Sequence, residues 1–269
     1  VRDTYKGFMI GNKTCTISYD TEDSYFNSEG ARVARSNELV GLSQILKEYL
    51  PGKAKGMIDV GANIGLVTLL MEQFASDSKN MLVVEPEHNA YQLLENNMAS
   101  NHLSPVLRNC GVGEKHAKLH FSSAPGSTTA SHIVTKDHMI NTENSYDVDV
   151  ERLDFLVAEA GMKQVDFIKI DTEGHEMQVI KGSIDILERF NPWVFLEFNS
   201  WTNIAFANLS PRVFLEYLMD TFQQVGQVRP GKNVLWIKSQ QEVIAFLHEN
   251  LVKHGCVDDL LLRFKQESA

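Results

Sequence analysis

Asp171-Thr172-Glu173-Gly174-His175-Glu176 crowds three carboxylates and an imidazole into one short segment, directly after the apolar run Asp166-Phe167-Ile168-Lys169-Ile170. Titratable groups packed this closely perturb one another, and an imidazole whose ordinary pKa is about 6.5 suits proton abstraction at neutral pH. His175 is therefore the first candidate for a general base and Glu173 the second, while Asp171 and Glu173 can instead orient a substrate. The segment reads as the end of a strand, where open α/β sheets bind their ligands. Glu176 has a plainer reading as a first-turn carboxylate stabilised by the helix dipole.

A second constellation is Met57-Ile58-Asp59-Val60-Gly61-Ala62-Asn63-Ile64-Gly65, an apolar strand running into a glycine turn and then a helix. Gly61 allows a sharp turn and Gly65 a close helix approach. The helix start is expected to point unpaired N–H groups into a crevice that can hold an anion such as the carboxylate of S-adenosylmethionine (SAM). The GxxxG spacing departs from the dinucleotide fingerprint, and no Lys-Ser/Thr follows for a P-loop. About 20 residues on, Glu85-Pro86 ends the next apolar strand, where an acid can accept ribose hydroxyls. Asn109 and Gly111 close a third strand; Gly111 either leaves room for an adenine edge or serves an ordinary turn. Asp171, Glu197 and Asn199 present oxygens that suit Mg²⁺, but strand-end acids commonly act only as hydrogen-bond partners, so a metal-free reaction is expected.

With these motifs in place, the segment from Asp166 to Glu176 resembles the FkbM-type methyltransferase family, whose signature is an apolar strand ending in Lys-Ile-Asp followed by x-Glu-Gly-x-Glu. The Asp59 to Gly65 loop, Glu85-Pro86, Glu38 and Glu197 within Leu196-Glu197-Phe198 extend the resemblance from about Glu38 to Asn199. It implies a Rossmann-like class I methyltransferase sandwich: a mostly parallel seven-stranded sheet with an antiparallel last strand and helices on both faces. It also implies O-methylation with SAM as donor and S-adenosylhomocysteine as product. The cofactor set under this reading is Glu38, Asp59, Gly61, Ala62, Asn63 and Gly65 with Glu85, Pro86, Asn109, Gly111 and Asp171, while Glu197, Asn199 and Trp201 face the acceptor. Methyl transfer from a sulfonium is an in-line displacement, so a base must stand beside the acceptor oxygen. A glycan hydroxyl of polysaccharide or lipopolysaccharide type is the preferred acceptor by analogy, with a macrolide or other secondary metabolite as the alternative. A nicotinamide-dependent oxidoreductase and a catalytically silent methyltransferase-like binding module remain as rivals.

The elements that must carry these residues alternate. Strands are predicted at Gly56 to Val60, Met81 to Glu85, Val106 to Asn109, Tyr146 to Val150, Val165 to Ile170 and Trp193 to Phe198. Between or around them come helices at Asn37 to Leu50, Ile64 to Phe74, Glu87 to Ser100, Leu153 to Glu159 and Glu176 to Phe190. The stretch from Ser122 to Ser145 breaks the alternation and reads as a lid or substrate loop that contains His132 and His138, neither of them assigned a role. After a helix from Pro211 to Phe222, Gln224 to Val228 and Val234 to Ile237 form an antiparallel pair, followed by a helix from Glu242 to Lys253. Residues 1–36, with short strands between Gly7 and Tyr19, read as an N-terminal extension to a methyltransferase domain at 37–269.

Composition bounds the partners. Lys plus Arg number 25 against 35 Asp plus Glu, a formal charge of -10 that disfavours nucleic acid. Cys15, Cys110 and Cys256 lack disulfide or zinc spacing, which fits a cytoplasmic protein. No apolar run approaches the roughly 20 residues of a membrane span. The chain opens on Val1, which leaves room for a domain of a larger biosynthetic protein, and oligomeric state is not legible.

Overall fold

The structure is a computed structural model that describes the backbone of residues 2–23, 29–124, 127–133 and 145–264, with all side chains among them except those of 29–35, 124 and 127–130. Strands β3 (Met57–Val60), β4 (Met81–Val84) and β10 (Phe167–Ile170) are buried at every position. Such continuous burial is what a parallel sheet covered on both faces requires. They pair in parallel with one another and with β5 (Val106–Arg108) and β11 (Trp193–Asn199), in the order β5-β4-β3-β10-β11. The chain therefore reverses its direction of travel between β3 and β10, the place where ligands bind in such sheets.

Side chains alternate across this sheet. Ile58, Val60 and Ile170 enter a core shared with α4 (Leu153–Glu159), α5 (Glu176–Lys181), α6 (Ile184–Phe190), α8 (Pro211–Thr221) and α9 (Gln240–Lys253). Met57, Phe167 and Phe195 enter a second core beneath α1 (Glu29–Tyr49), α2 (Leu66–Glu72) and α3 (His88–Ser100). The expected Rossmann-like α/β architecture with helices on both faces is what the chain forms.

Three features differ from expectation. The main sheet has eight strands rather than seven; the antiparallel pair expected at 224–228 and 234–237 does form, with β13 (Leu235–Trp236) as a two-residue edge strand. A second antiparallel strand is β14 (Val257–Phe264), a segment without alternation that the sequence reading passes over; it slots between β11 and β12 (Phe222–Val228) and runs antiparallel to both. The helix expected from Glu176 to Phe190 breaks at Gly182, where a Cβ would lie 1.9 Å from the Gly113 carbonyl oxygen.

The described residues of the stretch expected to be irregular belong to a second sheet. β7 (Ala117–Ala124) pairs with β8 (Ser127–Ile133) and with β9 (Ser145–Glu151), which in turn pairs with β6 (Gly111–Val112). Tyr146 to Val150 accordingly belongs to this four-stranded sheet and not to the main one. Its alternation of exposed and buried positions has one apolar side on Phe121, Val148 and Val150. The part of the expected lid at 134–144, with His138, lies outside the described residues.

At the N-terminus, β1 (Arg2–Ile10) and β2 (Lys13–Asp20) form an antiparallel hairpin whose Ile10, Cys15 and Ile17 join the second core. Asn97 on α3 and Asn101, the residue that caps its C-terminus, hold it as a strand would: Asn97 accepts from the Ser18 N–H at 2.6 Å and donates to the Ser18 carbonyl at 3.1 Å, and Asn101 does the same for Thr16 at 3.0 and 2.8 Å. Among the described residues no helix is long and apolar enough to cross a membrane.

Candidate active site

A cavity of about 620 Å³ opens where β3 and β10 end. Its floor is the glycine turn. Gly61 sits at φ 79° and a Cβ there would lie 1.7 Å from the Asp171 carbonyl oxygen, so only glycine lets the turn touch β10. Gly65 sits at φ 91° and would collide with Leu94 and Met98, so it sets the approach of α2 to α3 and does not line the cavity.

The turn's own amides are occupied, while no side chain caps the start of α2 at Gly65. Gly61 and Ala62 donate to the Val84 carbonyl at 2.9 and 3.1 Å, Gly65 donates to Ala62 at 2.8 Å, and Asn63 donates to Glu85 Oε2 at 2.7 Å. Glu85 Oε1 accepts from the Glu87 N–H at 2.8 Å. Each carboxylate oxygen keeps a second lone pair, and Glu85 lines the cavity. Burial raises its pKa to about 7, against the lowering effect of those two backbone donors.

Glu38, Ala62, Asn63, Pro86, Gly111 and Asp171 also line this cavity, as the sequence reading placed them. Asp59 and Asn109 do not. Asp59 is fully buried beneath the turn, accepting from Thr68 Oγ1 at 2.6 Å, and so braces α2. Asn109 donates to the carbonyls of Glu85 and Pro86 at 2.8 and 3.2 Å and so fixes the end of β4.

The chemical half of the site hangs on one buried cation. Lys169 Nζ, its side chain only 3% exposed, meets Asp171 at 2.9 Å and Glu38 at 3.3 Å. Burial disfavours its charge, but Asp171, Glu38 and Asp59 outweigh that and hold its pKa well above the ordinary lysine range. Around it stand Glu173, Glu197 and Asp259, whose carboxyls are pushed well above the usual range by burial and then by their negative neighbours. Glu197 and Asp259 face each other in the β11–β14 register. Among the described residues, no group of three or more His, Cys, Asp or Glu has a metal-holding arrangement.

Glu173 is held at φ 52°, a left-handed conformation uncommon for a residue with a side chain. The loop is fixed from below by Glu176, whose Oε1 accepts from the Thr172 and Gly174 N–H groups at 2.9 and 3.1 Å. Glu176 is thus a buried brace in the first turn of α5. Burial lowers the His175 pKa to about 4, so its imidazole is neutral at physiological pH.

A second cavity of about 360 Å³ adjoins the first, and Glu173, His175 and Ile133 line both. Of the residues expected to face the acceptor, Glu197 lines the larger cavity and Asn199 and Trp201 line neither. Asn199 caps α7 (Ser200–Ala205), accepting from the Trp201 and Thr202 N–H groups at 3.1 and 3.2 Å. Trp201 is exposed and packs edge-on against Phe206. Sequence reasoning missed Arg229, His254 and Asp259, which β12, α9 and β14 bring to the larger cavity. No local motif marks them, because their place depends on strand pairing far along the chain.

A glycine turn touching the switch point, an acid at the end of the neighbouring strand and a cavity between them form the crevice at which Rossmann-like sheets bind ligands. Residues 59–251 match the family described as Methyltransferase FkbM domain, and the chain belongs to that family. It is 30% identical over 148 residues to Methyltransferase 1 of Beauveria bassiana, covering 48% of this chain and 58% of that one. It is 25% identical over 133 residues to the hexuronic acid methyltransferase AglP of Haloferax volcanii, covering 49% and 52%. The chain therefore spans little more than half the length of these curated relatives. The crystal structure of an FkbM methyltransferase from Methylobacillus flagellatus aligns at TM-score 0.43 and 17% identity over 78% of this chain and 44% of that one.

Proposed function

We propose that this chain transfers a methyl group from SAM to a hydroxyl oxygen without a metal ion. The observation that carries this reading is the position of Glu173 and His175 on the wall shared by a large and a small cavity. One cavity then holds the donor, the other the acceptor, and the proton-handling groups stand between them.

The residues present fit the donor. Glu85 offers one lone pair on each oxygen to a pair of ribose hydroxyls, and Gly111 lies in the wall of the same cavity. Arg229 already pairs with Glu249 at 2.7 Å, but its buried Nε has no hydrogen-bond partner among the described residues and offers its N–H to a carboxylate. Asn63 Oδ1 and Glu197 Oε2, likewise without partners, accept from an ammonium group. When bound, SAM supplies a methyl group made electrophilic by its sulfonium.

Burial reverses the order of the two candidate bases. A His175 imidazole whose pKa is about 4 is a weak acceptor of protons, whereas the raised pKa of Glu173 makes its carboxylate a strong one once ionised. Glu173 takes the hydroxyl proton and neutral His175 donates its ring N–H to the acceptor oxygen. Lys169 pairs with Asp171 at 2.9 Å beside them.

A sugar acceptor draws support from the likeness to the archaeal hexuronic acid methyltransferase. A second reading, an alcohol on an apolar body, is favoured by the lining of the smaller cavity. Calorimetric titration with S-adenosylhomocysteine, with NAD as control, tests the function: binding of the former alone is expected. Binding of NAD alone, or of neither, sinks the proposal.

A further inference from the structure

The smaller cavity has three walls, each from a different part of the fold. The second sheet contributes Ala117, Leu119 and Val150, the start of α5 contributes Met177, and the segment after α7 contributes Phe206 and Leu209. These side chains are apolar. The charged or titratable groups at the cavity are Glu114 and Lys115 at one side and Glu173 and His175 where it meets the larger cavity. Phe206 is locked in place by a parallel stack on His132 of β8, ring centroids 3.6 Å apart and planes 5° apart, which ties the segment after α7 to the second sheet.

A sugar presents a hydroxyl or ring oxygen at nearly every carbon, and each one buried without a partner is penalised by about 1–3 kcal/mol. The apolar side chains supply no such partners, which leaves only Gln178 and the four titratable groups to meet them. An alcohol carried on a hydrocarbon body instead gains about 25 cal/mol for each Å² of apolar surface removed from water. The volume of about 360 Å³ lies at the small end of ligand pockets, matching a compact aliphatic or cyclic body and not a polysaccharide chain.

We propose that the cavity bounded by Ala117, Leu119, Met177, Phe206 and Leu209 binds the hydrocarbon body of a small alcohol acceptor, with its hydroxyl at Glu173 and His175. This rests on the methyltransferase reading of the same site and names its substrate class. The polar end of the cavity accepts one hydroxyl; the remainder of the molecule is enclosed by the second sheet and the segment after α7. Ala117 and Ala207 are the two wall positions where a larger side chain fills the space without removing a packed group.

The test is ligand-observed saturation-transfer NMR with 4-tert-butylcyclohexanol as the probe and methyl β-D-glucuronide as its polar counterpart, on the wild type and on Ala207→Trp and Ala117→Phe. The alcohol is expected to bind the wild type, to bind each filled variant at least tenfold more weakly, and to outcompete the glucuronide. S-adenosylhomocysteine affinity, unchanged in both variants, shows that they are folded. Equal alcohol binding in the filled variants, no alcohol binding at all, or glucuronide binding lost on filling overturns the assignment. Failure of S-adenosylhomocysteine to bind the wild type is a separate result: it removes the methyltransferase reading, whereas the alcohol titration still reports on the cavity.

Discussion

The carbonyl oxygen of Asp171 occupies the space into which a Cβ on Gly61 would project, at 1.7 Å from that position. The glycine turn and the end of β10 are thereby one surface, and the Asp171 N–H closes it by donating to the Val60 carbonyl at 3.0 Å. Cofactor binding and the acidic cluster cannot be displaced independently of each other.

Gly61→Ala is expected to destabilise the chain by about 3 kcal/mol, since both the positive φ and the overlap with backbone must be relieved. S-adenosylhomocysteine affinity is expected to fall by more than tenfold. Gly7→Ala is the control: its φ is also positive, at 94°, but a Cβ there meets nothing within 4 Å. It should lose only about 1 kcal/mol to the left-handed conformation and leave ligand affinity unchanged. Denaturant melts and titration of both variants check the pair, and equal losses in the two would show that the contact with Asp171 is not what matters.

Glu85 predicts a pH dependence for ligand binding. Its folded pKa of about 7 means that the carboxyl is largely neutral at pH 6 and largely ionised at pH 8. Accepting two ribose hydroxyls favours the ionised form, so S-adenosylhomocysteine affinity should rise by up to about tenfold across that interval. Glu85→Gln should bind more weakly and show a flat profile. Titrations at several pH values decide this, and a flat wild-type profile would remove Glu85 from the ribose site.

Much of this half-site is legible in local sequence because its parts are local. Gly61, Asn63, Glu85 and Asp171 each sit at the end of a short apolar strand, and parallel register alone brings those ends together. The other half is not legible for the opposite reason. Asp259 reaches the cavity only because β14 inserts antiparallel between β11 and β12, and the run Leu260-Leu261-Leu262 has no period that announces a strand. Asn199 and Trp201 misled through chemistry common to sites and helix starts, since Asn is a favoured N-cap. The turn's own amides pair with Val84 and Glu85, a pairing between adjacent strand ends that no spacing reveals.

Glu173→Gln keeps the shape of the loop and removes the proton acceptor. The expected result is a loss of about 10²- to 10⁴-fold in kcat with S-adenosylhomocysteine affinity little changed. Because the Glu173 carboxyl is raised well above the usual range, wild-type turnover should climb with rising pH as more of it ionises. His175→Ala is expected to act chiefly on the KM of the acceptor. If His175→Ala instead lost kcat to the extent predicted for Glu173→Gln, the roles of the two would be exchanged.

His175 also carries a prediction about stability. Its folded pKa is depressed to about 4, whereas the unfolded chain titrates at about 6.5. Stability from this group is therefore full above pH 6.5 and is lost as pH falls toward 4, because the unfolded state takes up the proton first. The fully enclosed limit is about 3 kcal/mol; water reaching the edge of the ring that faces the cavity reduces it to about 1–2 kcal/mol. The raised carboxyls of Glu173, Glu197 and Asp259 act in the opposite sense, stabilising the fold as pH falls, so the wild-type curve alone mixes both effects. The decisive quantity is the difference between wild type and His175→Asn in urea denaturation at pH 7.5 and pH 4.5. The variant should lose less stability on acidification by about 1–2 kcal/mol, and a difference of zero would mean that the imidazole is open to solvent in the folded protein.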